Sequence, residues 1–163
     1  MNTSLRKKSW DEQITFKNET WDGFDLTETD FENVVLRDMV FKNCLFSKSK
    51  FIPHRLFGGS FLECRFEGVD LSDLRIGASS GLYRQCSFKK CDFRGQNFAA
   101  HRFEECVFDN SKLKRISFND ATFSHCKFIG VLHDVTFNGI YHRHPSKEKA
   151  LDSVDFFFFF FGE

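Results

Sequence analysis

No stretch of this chain approaches the ~20 consecutive apolar residues that a membrane-spanning helix needs. The opening residues, MNTSLRKKSWDEQ, are basic at first but have no apolar core behind them, so no secretory signal is visible. Net charge is also missing: 23 basic residues balance 23 acidic ones, which removes any bulk sign of attraction to nucleic acid or a membrane surface. Only two prolines occur, few for a chain so rich in turn residues. No phosphate-binding glycine loop, dinucleotide fingerprint or pair of convergent carboxylates is present. Without a secretory signal, the six cysteines are expected to be reduced thiols in a cytoplasmic protein.

Phenylalanine is abundant, with 24 copies in 163 residues, and most of them keep a strict beat. From Phe16 a large apolar residue recurs every fifth position, through Trp21, Leu26, Phe31 and onward to Ile76. The beat resumes two residues out of phase at Tyr83 and continues to Phe128, and Phe137 follows after a four-residue slip. A helix cannot use this spacing, because five steps of ~100° scatter the rings around its axis. The position two before each centre is also small or apolar, as at Val34, Met39, Cys44, Cys64 and Val69. Two inward residues with one outward residue between them make a very short strand, and the two polar residues that follow turn a corner.

The units CLFSK, CRFEG, CDFRG and CVFDN resemble the pentapeptide-repeat family over about Phe16 to Phe137. That resemblance implies an all-β, right-handed, quadrilateral parallel β-helix with one pentad per side and twenty residues per coil. Twenty-four pentads then make about six coils. The cysteines test this winding independently. With a two-residue bulge near GASSG, one column reads Phe24, Cys44, Cys64, Cys86, Cys106 and Cys126, so five of the six thiols fall on one wall.

Three segments follow. Residues 1–13, with Trp10, are expected to cap the first coil; residues 14–139 form the β-helix; residues 140–163 hold a loop, a short helix over Ser146–Leu151 and the phenylalanine run Phe156–Phe161. VDFFF and FFFGE fit the pentad again, with Val154 and Phe159 inward and Phe156 and Phe161 central, so the tail reads as a resumed coil. It stands as a greasy cap, a dimer contact or the abnormal end of a longer array.

Apparent chemistry has a plainer reading in each case. GASSG (Gly77, Ala78, Ser79, Ser80, Gly81) matches a nucleophile elbow, but that motif needs a strand before it and a helix after it; here it absorbs the two-residue slip. Thiols in a row do not converge as a tetrahedral metal site requires, so cysteine is expected to serve as a small inward filler. His101 and His54 fall at inward positions, while His125, His133, His142 and His144 lie near the C-terminal loops. No enzyme activity, cofactor or metal is expected.

The functional expectation is a rigid module that binds another protein, without direct contact to nucleic acid or membrane. Its contact candidates are the bulge at Gly77, Ala78, Ser79, Ser80 and Gly81, the paired Arg55 and Arg75 of one wall, and Phe157 and Phe160 of the tail, through which a homodimer is also conceivable. An alternative comes from the segment DLSDLRIGASSGLYRQCSFKKCDFRGQNF, which is similar to the Qnr and MfpA-like group. That likeness implies protection of a type II topoisomerase (DNA gyrase or topoisomerase IV) by an acidic, DNA-mimicking rod. The neutral charge of this chain counts against it.

Overall fold

The computed structural model describes residues 3–51, 56–72, 81–118, 121–130, 132–133, 135, 151–152 and 155–157. Every described element is a strand of two to four residues, and every strand pairing is parallel. The strands build four ladders, one per face of a solenoid. The first face carries Ile14–Lys17, Val34–Arg37 and Leu56–Phe57. The second face is seven strands deep: Thr20–Asp22, Val40–Lys42, Ser60–Leu62, Leu82–Arg84, Arg102–Glu104, Thr122–Ser124 and Leu151–Asp152. The third has six, from Leu45–Ser47 to Asp155–Phe157. The fourth holds Leu113–Lys114 beside Leu132–His133, and single bridges tie Asp30, Lys50, Asp70, Asp92 and Lys112 along it.

Register reproduces the beat of the sequence. Trp21, Phe41, Phe61, Tyr83, Phe103 and Phe123 lie one above another on the second face, which makes five full turns between Trp21 and Phe123. Each step is twenty residues except Phe61 to Tyr83, which is twenty-two. Because Asp70 stands over Lys50 at twenty while Leu82 stands over Ser60 at twenty-two, the extra pair enters the chain between Asp70 and Leu82. GASSG, expected to absorb it, falls in that interval, but of its residues only Gly81 is among those described. A second slip is now placed: Leu132 stands over Leu113, nineteen residues on, so the beat shortens by one just after Phe128.

The rings show why one large residue per pentad suffices. Within a column they stack nearly parallel, Phe41 on Phe61 at 5.0 Å, Phe103 on Phe123 at 5.0 Å and Phe108 on Phe128 at 4.6 Å. Between columns they meet edge to face, as Phe41 meets Phe46 at 5.4 Å. Both arrangements suit the negative face and positive edge of an aromatic ring. With the strand repeat set by the backbone at ~4.8 Å, stacking distance and ladder distance coincide. The rings form continuous columns on the second face, from Trp21 to Phe123, and on the third, from Phe46 to Phe128, whereas leucines such as Leu36, Leu56, Leu71 and Leu113 interrupt the other two.

Corners need the backbone to turn sharply, and they do so with a left-handed residue two places after a centre. Asn18, Asp38, Asn43, Glu63, Gln85, Ala100 and Glu105 all hold φ near +50° to +60°. Gly58, Gly68 and Gly95 take the same role.

The ends depart from expectation in detail. Residues 3–10 do more than cover: they wind as half a further coil. Leu5 N–H donates to Asp25 O, Lys7 N–H to Thr27 O, and Asp30 N–H to Lys8 O. Trp10 stacks on Phe31 at 5.9 Å and meets Phe16 edge-on at 6.1 Å, completing the lid over the fourth face. At the other end, Phe156 pairs with Phe128 and Phe157 with Ile129, so the tail is a resumed coil at backbone level. The short helix expected over Ser146–Leu151 is corrected at its last residue: Leu151 stands in a strand opposite Phe123. Leu151 is five residues before Phe156, so the pentad beat prevails there over local helix preference. Residues 146–150 and Phe158–Phe161 lie outside the described residues.

Candidate functional site

Inside the solenoid the polar side chains work for the backbone. Cys44, Cys64, Cys86, Cys106 and Cys126 stand on one inner wall, 0–1% exposed, and all six cysteines are free thiols. Each thiol donates to the central carbonyl of the coil beneath: Cys44 to Trp21 O at 3.3 Å, Cys64 to Phe41 O at 3.5 Å, Cys86 to Phe61 O at 3.3 Å, Cys106 to Tyr83 O at 3.4 Å and Cys126 to Phe103 O at 3.3 Å. Ser49 does the same to Leu26 O at 2.7 Å and Ser111 to Phe88 O at 3.0 Å, on the adjoining wall that also carries Cys91. The position two before a centre thus favours a small side chain with one hydrogen to give. Neighbouring thiols along the wall, together with burial, push Cys44, Cys86 and Cys126 above the ordinary thiol range, while the neighbours of Cys64 and Cys106 hold these two below it. Burial pushes the Cys91 thiol up to about 11. Thiols only 0–1% exposed in a dry wall are out of reach of a substrate or a metal ion.

Three buried side-chain atoms among the described residues depart from this satisfaction, Gln96 Oε1, Ser117 Oγ and His101 Nε2, and His101 is the most enclosed of the three residues. It is 1% exposed; Nδ1 lies 2.9 Å from Ala99 O, and buried Nε2 has no partner among the described residues. Its ring lies over Gly81, where a Cβ would meet His101 Cδ2 at 2.9 Å. Gly81 is therefore a spacing residue for the imidazole rather than an exposed contact point. Burial holds the His101 ring below its ordinary pKa of 6.5.

Outside, charge is laid down rung by rung. Arg84 pairs with Glu104 at 2.6 Å, Lys50 with Asp30 at 3.2 Å and Lys112 with Asp92 at 3.3 Å, each across twenty residues, and Lys89 pairs with Glu67 at 3.6 Å across the longer turn. These exposed pairs contribute about 0–1 kcal/mol each, so they set pattern more than stability. Asp92 is the most enclosed acid among the described residues: burial pushes its carboxyl up, but Arg94 and Lys112 outweigh that and hold it below the usual range. The twenty-residue spacing of these partners was readable in the sequence and gave no signal until the columns were drawn.

Of the expected contact residues, Gly77, Ala78, Ser79, Ser80, Arg55, Arg75 and Phe160 lie outside the described residues. Phe157 is placed by its backbone alone, beside Ile129. What the structure does bring together is a banded surface. The first coil, residues 14–33, carries Glu19, Asp22, Asp25, Glu28, Asp30 and Glu32 against Lys17; the second, residues 34–53, carries Arg37, Lys42, Lys48 and Lys50 against Asp38. Among the described residues, no three His, Cys, Asp or Glu side chains converge as a metal site would require.

Comparison with known proteins places this architecture. The sequence profile described as Pentapeptide repeats (8 copies) matches residues 86–124 and 102–139. No curated protein sequence matches the chain significantly. Among solved structures, two trypsin-treated forms of QnrB1, a plasmid-mediated fluoroquinolone resistance protein, are 14% identical. One has a TM-score of 0.60 and covers 95% of this chain and 89% of its own. The other has a TM-score of 0.58, covering 95% and 90%. HetL, a pentapeptide repeat protein involved in heterocyst differentiation regulation in Nostoc sp. strain PCC 7120, is 12% identical at a TM-score of 0.33, over 79% of this chain and 62% of its own. At these identities the likeness concerns the fold alone.

Proposed function

Because the chain is a pentapeptide-repeat protein, we propose that it is a non-enzymatic, rigid module that binds another protein through the charge pattern on its walls. The observation that carries this reading is the division of labour between inside and outside. Inward polar groups donate to the backbone of the coil beneath, whereas outward groups sit on fixed rungs with ~4.8 Å between them. Solenoids present broad, stiff surfaces of this kind to partner proteins. The free thiols suit a reducing compartment, and we place the protein in the cytoplasm.

Affinity capture from the native host tests the proposal, using wild-type protein beside a variant with Arg65, Lys89 and Lys90 reversed to glutamate. A partner retained by the first and lost by the second supports wall recognition. Equal retention by both, or no partner for either, counts against it. Size-exclusion of the full chain beside a version ending at Asp155 tests the accompanying reading that two copies join through the phenylalanine tail.

A second reading, protection of a type II topoisomerase, draws support from the winding shared with the QnrB1 structures. Against it stands the banding: carboxylates gather on the first coil and basic groups on the second, where a DNA-mimicking rod calls for acidity along its whole length. Gyrase supercoiling in the presence of a quinolone decides the matter. Rescue at stoichiometric protein upholds this reading, and no rescue at excess removes it.

A further inference from the structure

The third face is described layer by layer from the N-terminal half coil to Lys127–Ile129. Its lowest layer is residues 4–7: Ser4 bridges Asp25, and Lys7 pairs with Glu28 at 3.5 Å. Reading upward, the outward charges are Arg6 and Lys7; Asp25 and Glu28; Lys48; Arg65 and Glu67; Lys89 and Lys90; Asp109; and Lys127. Their signs run doubly positive, doubly negative, positive, neutral, doubly positive, negative, positive. Lys48, Arg65 and Lys90 have no ion-pair partner among the described residues. Leu45, beside Lys48, is 36% exposed, and among the described residues only Ile14 on the first face is a comparably exposed large apolar side chain.

This order is self-complementary in one arrangement. A second copy turned over about an axis along the strands, midway between the layers of Leu45 and Arg65, presents the six lower layers in reverse. Arg6 and Lys7 then meet Asp109; Asp25 and Glu28 meet Lys89 and Lys90; Lys48 meets the neutral layer of Arg65 and Glu67. The turn preserves position along the strand, so Glu28 faces the second copy's Lys90 and Asp109 faces its Arg6. The two Leu45 side chains come together at the axis, one rung (~4.8 Å) apart. A slip of one layer either way sets like charge on like, Asp25 and Glu28 on Asp109 in one case, Arg6 and Lys7 on Lys89 and Lys90 in the other. Copies pointing the same way repel in every layer but that of Arg65 and Glu67. Such juxtapositions are what excludes wrong pairings.

The corners leave this balance standing. Toward the second face, Glu63 comes opposite Asn43, and Glu105 adds a carboxylate to the layer that meets Arg6 and Lys7. Toward the fourth, Lys50 comes opposite Asp70. Asp30 approaches Asp92, and Lys112 approaches Ser9 beside Lys8, but Lys50 already pairs with Asp30, and Arg94 and Lys112 with Asp92.

We propose that the third face is the contact surface of an antiparallel homodimer, two copies lying wall to wall in this register. The overlap is about 300 Å² of wall in plan, below the ~800 Å² per partner of a stable complex. The dimer is therefore weak, forms at high protein concentration and loosens as salt screens it. The inference goes beyond the partner-binding reading, although a protein drawn to Arg65, Lys89 and Lys90 would compete with the second copy.

Sedimentation equilibrium of the purified full chain, over a concentration series at low and high salt, tests the proposal. Glu28→Lys and Lys90→Glu are each expected to weaken the dimer about tenfold or more. A chain carrying both reversals restores the facing pairs and recovers most of that loss, while Lys42→Glu on the second face changes little. A short bis-maleimide is expected to join copies of Leu45→Cys and not of Lys42→Cys, the native thiols being buried. A monomer at every concentration overturns the proposal. So does a double reversal no better than the single ones, equal loss from Lys42→Glu, or equal linking from both cysteine variants. A dimer that ignores these reversals but vanishes in the version ending at Asp155 is joined by the tail and overturns it too. Because the run contains no other protein, its failure leaves the partner-binding reading to be judged by affinity capture.

Discussion

Ala100 and His101 sit side by side, and each has a local cost of its own. Ala100 holds φ at +59° in a corner where glycine serves elsewhere. An L-residue in that region costs roughly 1–2 kcal/mol, and glycine's extra freedom in the unfolded chain takes back about 0.5–1 kcal/mol. Ala100→Gly is therefore expected to stabilise the protein by about 0.5 kcal/mol, read as a rise in midpoint on urea denaturation, and Ala100→Val to lower it. His101 makes stability depend on pH. Its folded pKa lies below its ordinary value of 6.5, so the unfolded chain binds a proton first as pH falls. Stability is then full above about pH 6.5, declines below it, and levels off once the folded imidazole also protonates. The carboxyls of Asp25, lowered by the Thr27 hydroxyl and amide, and of Asp92 act separately and at lower pH, their contribution being lost as pH falls through their folded pKa values. Urea denaturation at a series of pH values, wild type beside His101→Gln, checks the assignment: the decline that starts near pH 6.5 disappears in the variant while the lower acid decline stays.

At the scale of the strand and its corner, the five-residue beat was enough to write the core in advance. Phe41, Phe66, Phe88 and Phe108 could be placed because a five-residue period has one solution when inward residues alternate with outward ones. The cysteine column followed from the same count. What the beat could not carry was anything broken by fewer than five residues or made by unlike residues. Leu5 and Trp10 belong to a half coil, but a six-residue step to Phe16 hides them. Leu132 restarts the fourth face one residue early, and Leu151 pairs as a strand though charged helix-formers precede it. Nor did the letters say that thiols and hydroxyls two places before a centre share a job. That role predicts an ordering at Cys106. Serine keeps the donated hydrogen bond and is expected to cost about 1 kcal/mol or less. Leucine loses the bond and overpacks the wall, at about 2–3 kcal/mol. Thermal melts of Cys106→Ser and Cys106→Leu compare them directly. Of the candidate site, the wall charges were legible as residues but not as pairs, because their partners lie twenty positions away.

As a whole the molecule is held by contacts between neighbouring layers, so each layer depends on the one beside it. Removal of residues 1–10 would uncover Phe31, Thr29 and the third and fourth faces of the first coil together. A loss of about 2–3 kcal/mol is expected from the Trp10 and Leu5 side chains. Hydrogen exchange should localise it: amides of Asp25 and Asp30 exchange fast in the shortened chain, while those of Arg102 to Asp109 keep their protection. Uniform acceleration along the rod would mean that the layers do not act as neighbours.

The regular step of twenty makes length a quantity the gene can edit in whole units. Excising residues 87–106 would join Cys86 to Val107 and bring Phe108 directly onto Phe66, with corner, rung and inward filler all restored in phase. Excising nineteen would throw every later ring to the wrong side. Such a chain is free to become taller or shorter during descent without redesign of any surviving layer, and partners could be measured against its height.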